Sequence, residues 1–236
     1  RRPRPAGRPR CRPGVRAAPR RPPAPARRRL ARRRDPRSRP PRVHGGTVRS
    51  QVGETSEALF LTSGYTYETM EAAERRFKNE EPGFVYSRFS NPTVRMFEER
   101  MALLEGAEDA RATASGMAAV TAAIMCQLRA GDHILSSQAL FGSCRYIVEE
   151  LAPRYGIEST LVDGRDLNAW KAGLRPNTKV VFLESPSNPT LEVIDIAAVA
   201  EIAHSAGAKL VVDNVFATPI LQKPLELGAD VVAYSA

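Results

Sequence analysis

The stretch Lys209-Leu210-Val211-Val212-Asp213-Asn214 decides the fold. Its apolar residues run without polar alternation, so it is expected to be a strand covered on both faces, as strands of parallel sheets are. It stops on Asp213, a carboxylate where a buried strand opens toward solvent. Such a group has lost much of its hydration and needs a partner, and a ligand carrying a basic nitrogen would supply one. Three other apolar runs stop on polar residues in the same way: Asp132 to Ser137, Lys179 to Glu184 and Asp230 to Ser235. In open parallel sheets ligands sit beyond the carboxyl ends of the strands, so these ends together outline a site.

Helical segments alternate with the runs. Asn91 can cap a helix with Pro92 in its first turn, Val94, Phe97, Met101 and Leu104 at helical spacing, and Gly106 as its stop. Asp195 opens another, with Ile196, Val199, Ala200 and Ala203 on one face and Gly207 ending it. The expected class is α/β, with a mostly parallel sheet covered by helices on both faces.

Composition divides the chain. Residues 1–42 hold 18 Arg and 11 Pro against one acid, Asp35, giving +17 in a chain whose net charge is +9, so residues 43–236 carry −8. The arm cannot bury enough apolar surface to offset its ordering entropy and is expected to be disordered. It reads as a nucleic-acid-binding tail, an organellar transit peptide, or an abnormal start without function. Without aromatics for stacking or an amphipathic period, the last is favoured, with order beginning near Val43, and nucleic acid is an unfavoured partner.

Cys11, Cys126 and Cys144 form no C-x-x-C pair, which suits a reducing cytoplasm and argues against a disulfide framework. His44, His133 and His204 are too scattered to propose a metal triad. The longest apolar stretch, Met117 to Cys126 broken by Thr121, is short of the roughly 20 residues a membrane span needs.

Several segments near the strand ends have both a structural and a chemical reading. Ser115-Gly116-Met117 precedes a small-residue helix, either as a serine cap or as a phosphate cup of backbone N–H groups at a helix start. Glu184-Ser185-Pro186-Ser187-Asn188-Pro189-Thr190 is a rigid turn that could hold the Asn188 amide over the crevice. Phe141 is a core plug or a flat face for an aromatic ligand, and core is the commoner outcome. Tyr86 and Arg88, far from the sheet in sequence, read alone as solvated surface.

Taken in order, Tyr86-Ser87-Arg88-Phe89-Ser90-Asn91-Pro92-Thr93, Ser115-Gly116-Met117, Glu184 to Pro189, Val212-Asp213-Asn214, Leu227-Gly228-Ala229-Asp230 and Tyr234-Ser235 closely resemble the cystathionine γ-synthase-like enzymes. These are the trans-sulfuration branch of the fold-type I pyridoxal 5′-phosphate (PLP) enzymes, and the resemblance runs from about Val43 to Ala236. It implies that Asp213 pairs with the pyridinium nitrogen, Phe141 stacks on the ring and Asn188 bonds near the phenolic oxygen. It further implies that Ser115, Gly116, Met117 and Ser235 hold the phosphate. Tyr86 and Arg88 are implied to reach a neighbouring subunit's phosphate, so the partner is a second copy, in a dimer or homotetramer.

Most cystathionine synthases and lyases carry tyrosine where this chain has Phe141. That difference, with Glu57 to Ser63, Ala112 to Met117 and Asp213 to Pro219, looks most like the O-succinylhomoserine sulfhydrylase branch of the family. This implies replacement of the succinyl group by sulfide, giving homocysteine in methionine biosynthesis, with cystathionine γ-synthase and γ-lyase as alternatives. The family's Schiff-base lysine would fall two residues after Ala236, and neither Lys209 nor Lys223 follows the final strand. The expected organisation is an arm (1–42), a segment serving the neighbouring site (43–90) and a PLP-binding large domain cut at its carboxyl end (91–236), inactive alone.

Overall fold

A computed structural model describes residues 50–236, so the arm and its expected disorder lie outside the described residues. The elements follow in the order α1 (Met70–Phe77), α2 (Pro92–Glu105), α3 (Gly116–Met125), β1 (His133–Ser137) and α4 (Gly142–Tyr146). A π-helical turn over Ile147–Leu151 leads to α5 (Ala152–Arg154), then β2 (Glu158–Val162), α6 (Leu167–Gly173) and β3 (Thr178–Glu184). The remainder is α7 (Ile196–Ser205), β4 (Lys209–Asp213), α8 (Thr218–Leu221), a 3-10 turn over Pro224–Leu227 and β5 (Val231–Ala233).

The five strands are all parallel and lie in the order β2-β1-β3-β4-β5. The chain therefore reverses its direction of travel across the sheet between β1 and β3, and loops leaving those strands diverge to open a crevice. The expected strand ends are found at Ser137, Glu184 and Asp213. The last run is shorter than its apolar pattern, since Asp230 turns its carboxylate back to accept Leu210 N at 2.8 Å and Tyr234 and Ser235 lie past the strand end.

Alternation along the strands supplies two core layers. Ile134, Val180, Phe182 and Val211 face Val120 and Ile124 of α3 and Cys144 of α4 on one side. Leu135, Val181, Leu183, Leu210 and Val212 face Trp170 of α6 and Val199 and Ala203 of α7 on the other. Asp213 and Glu184 share the parity of Val211 and Phe182, so both carboxylates emerge on the α3 and α4 side.

Local signals account for the helices that bound the site. The Asn91 side chain accepts Thr93 N at 2.9 Å and Gly106 closes α2 at φ 78°, a left-handed cap that glycine adopts without a Cβ penalty. Asp195 caps α7 by accepting Ala198 N at 3.0 Å. Among the described residues no helix is long and apolar enough to cross a membrane.

Candidate functional site

Beyond the strand ends lies a cavity of ≈ 220 Å³ lined by Gly116, Met117 and Val120 of α3, Phe141 and Cys144, Glu184 and Asn188, Asp213, and Tyr234 and Ser235. A larger one, ≈ 600 Å³, adjoins it between α2, α3 and the outer edge of β5, and Ser115, Gly116 and Tyr234 line its near end. The smaller is the better candidate because buried ionisable groups from neighbouring strands converge there.

Asp213 is 5% exposed, accepts Val215 N at 3.1 Å and has the Cys144 Sγ at 3.9 Å from Oδ2. No Lys, Arg or His among the described residues pairs with it. Burial pushes its carboxyl above the usual range, against the opposing pull of those hydrogen bonds. Cys144 beside it is pushed up to about 12, chiefly by burial and then by the Asp213 charge, so its thiol stays protonated.

Glu184, 3% exposed, is the register partner of Asp213 across β3 and β4. Its Oε2 accepts Phe141 N at 2.6 Å and its Oε1 accepts Asn188 N at 3.1 Å. Burial, and then the Asp213 charge, raise its pKa to about 7. This double tether was not foreseen, because both donors are backbone groups that leave no mark on residue identity.

The start of α3 forms the opposite wall. The Ser115 Oγ accepts Ala118 N at 3.2 Å, so its side chain is a helix cap. The N–H groups of Gly116 and Met117 have no partner among the described residues and point out of the helix start. A Cβ on Gly116 would sit 2.6 Å from Ser235 Cβ and 2.8 Å from its Oγ, so only glycine lets the hydroxyl approach this close.

Phe141 is 41% exposed at the cavity rim, which corrects its reading as a core plug: its backbone is pinned by Glu184 while its ring stays open. Tyr86 and Arg88 are not brought to the cavity within one copy. Both are exposed, and the Arg88 guanidinium lies over the Tyr86 ring at 5.2 Å and the Phe89 ring at 4.7 Å.

Behind the cavity a polar network ties the strand ends to α2. Tyr234 donates its hydroxyl to Glu105 Oε2 at 2.5 Å and accepts from Asn214 Nδ2 at 2.8 Å. Gln222 Nε2 donates to Asn214 Oδ1 and to Ser185 O, both at 2.8 Å. Satisfied networks of this kind fix strand ends in one arrangement.

A parallel α/β sheet whose strand ends bring a buried carboxylate and a helix start to one cavity defines a class of ligand-binding folds. Residues 41–236 match the family model described as Cys/Met metabolism PLP-dependent enzyme, and the chain belongs to that family. It is 55% identical over 194 residues to an O-succinylhomoserine sulfhydrylase of Pseudomonas aeruginosa, covering 82% of this chain and 48% of that one. The corresponding Mycobacterium tuberculosis enzyme is 53% identical over 193 residues with the same coverage. An L-methionine gamma-lyase of Porphyromonas gingivalis is 42% identical over 195 residues, covering 82% of this chain and 49% of the relative. Among solved structures, an O-acetylhomoserine (thiol)-lyase of Campylobacter jejuni carrying N′-pyridoxyl-lysine-5′-monophosphate superposes with a TM-score of 0.79 at 32% identity, over 82% of this chain and 48% of that one. The chain spans about half the length of the curated relatives it matches.

Proposed function

We propose that the intact protein replaces the succinyl group of O-succinylhomoserine with sulfide to give homocysteine, using PLP held in the ≈ 220 Å³ cavity. The observation that carries the reading is Asp213, a buried carboxylate paired with no cation among the described residues, in a cavity that also offers N–H donors without a partner among them. A protonated ring nitrogen is the partner such a carboxylate needs, and a phosphate is the partner the α3 start needs. The residues present therefore fit the cofactor. When bound, it supplies an electron sink for charge that develops at the substrate carbons.

Asp213 keeps the ring nitrogen protonated. Phe141 offers its open ring as a stacking face, and Asn188 donates near the phenolic oxygen. Gly116 and Met117 donate their N–H groups to the phosphate, Ser115 shapes the helix start and the Ser235 hydroxyl closes the cup. Tyr86 and Arg88 extend to the phosphate of a second copy, which accounts for their exposure in one copy alone. Proton transfer at the substrate carbons calls for a lysine after β5, and only Tyr234, Ser235 and Ala236 follow it among the 236 residues. The 236-residue chain alone is therefore expected to form no homocysteine.

The substrate choice is supported by the names of the sulfhydrylase relatives, and it agrees with the family resemblance, which implies a tyrosine in most cystathionine synthases and lyases where this chain has Phe141. The test is to assay the intact protein, with whatever residues adjoin Ala236 in its gene, for homocysteine from sulfide and either O-succinylhomoserine or O-acetylhomoserine. Release of thiol from methionine is measured beside it. A higher kcat/KM on methionine would move the assignment to the lyase branch, and a higher value on the acetyl ester would change the acyl group.

A further inference from the structure

The crevice at the β1/β3 switch point exists because the loops leaving those strands part company, yet the two groups that would flank a flat ring sit one on each loop. Phe141 follows β1, and Asn188 follows β3. Nothing in either loop's own sequence fixes their separation. The Glu184 carboxylate does, because Oε2 takes Phe141 N at 2.6 Å while Oε1 takes Asn188 N at 3.1 Å.

We infer that Glu184 is a positioning residue that sets the distance between the Phe141 ring and the Asn188 amide by accepting both backbone N–H groups at once. The inference rests on the proposed roles of those two residues, while the tether itself stands on the geometry alone. Accepting two donors on two oxygens suits the ionised carboxylate. A protonated carboxyl or an amide must turn a donor toward one of the N–H groups and release it.

The tether is therefore sensitive to protonation. The groups facing Glu184 are Asp213 from β4, whose charge adds to burial in holding the Glu184 pKa up, and the neutral Cys144 thiol from α4; Tyr234 lines the same cavity, with its hydroxyl given to Glu105 behind it. With that pKa raised to about 7, chiefly by burial, ionisation and full tethering are completed only above neutrality. Asp213→Asn removes the like charge and is expected to move the transition to lower pH without abolishing it.

The experiment has two arms. In the first, amide proton shifts of Phe141 and Asn188 are followed against pH in the 236-residue chain. Both are expected to titrate together with one midpoint, and in Glu184→Gln the shared step is expected to vanish while one amide exchanges about tenfold faster. Independent midpoints, or an unchanged titration in Glu184→Gln, would overturn the tether. Glu184→Asp, which keeps the charge on a shorter arm, keeps the question decidable if the Gln variant fails to fold: it is expected to hold one amide, and holding both would count against the inference.

In the second arm, the intact holoprotein is compared with its Glu184→Gln form for PLP affinity and for the pH dependence of kcat and KM. Wild-type holoprotein is expected to show an acid limb displaced below neutrality, since a cation at Asp213 relieves Glu184, and Glu184→Gln is expected to lose it, with kcat down about tenfold and KM nearly constant. Equal changes in both parameters without a change of pH profile would reduce Glu184 to a structural residue. If wild type binds no PLP, the cofactor reading fails, and the first arm still decides the tether.

Discussion

Glu184 and Asp213 end neighbouring strands side by side, and among the described residues neither is matched by a cation. Two buried carboxylates in this arrangement resist ionising together, which is why burial and mutual repulsion raise the first and burial raises the second. A cationic ligand at Asp213 would relieve both.

That relief makes Asp213 the more expensive residue to lose. Asp213→Ala in the intact protein is expected to lower kcat/KM beyond Phe141→Leu by about 2 kcal/mol or more, since a buried charge pair outweighs one stacking face. Steady-state kinetics of the two variants checks it, and comparable turnover would reject the assigned roles.

Stability against pH should carry two opposite signatures. The Glu184 pKa is raised from 4.5 to about 7, so the folded state holds its proton more tightly and this contribution, about 3 kcal/mol, is full below pH 4.5 and lost as pH rises through 7. His133 is buried between Thr178 Oγ1 at 2.8 Å and Thr160 Oγ1 at 2.9 Å, with burial lowering its pKa from 6.5 to about 4. Its contribution is present above 6.5 and lost as pH falls through 4, by a similar amount. Denaturant titrations of the apo chain should therefore show a loss toward alkaline pH that Glu184→Gln flattens and an acid loss that His133→Asn flattens.

Gly116→Ala separates stability from binding. Gly116 is the first residue of α3, where the helix-interior preference for alanine is only partly felt, and Ser235 must shift at Cβ and Cα to make room, so the melting temperature is expected to hold or fall slightly. Yielding pushes the Ser235 hydroxyl from the α3 start, where Cβ would stand 2.6 Å from Cβ. PLP affinity, measured by fluorescence titration, is expected to fall about tenfold, which is the scale of one hydrogen bond to a charged group.

The strand ends were legible because Val-Val-Asp and Phe-Leu-Glu mark a buried run meeting a polar edge, and the caps at Asn91, Ser115 and Asp195 were legible because capping is local chemistry. β2 was not. Glu158-Ser159-Thr160-Leu161-Val162 lies at the sheet edge with only partial burial, so its residues need not be uniformly apolar. The Glu184 tether was hidden for another reason: its donors are main-chain groups, and their positions depend on two crossovers that only the folded topology brings together.

The contact between Gly116 and Ser235 has a consequence in time as well as space. A nascent chain that has emerged only as far as β4 already owns the first helix of the cup and the carboxylate of Asp213, yet it has no wall at position 235. Pairing residues so remote in sequence waits on closure of a long loop that contains all five strands. If the start of α3 and Ser235 together hold a phosphate, as proposed, that seat is complete only once synthesis has passed β5, and a chain halted before it would carry Asp213 and the helix start without the residue that faces them.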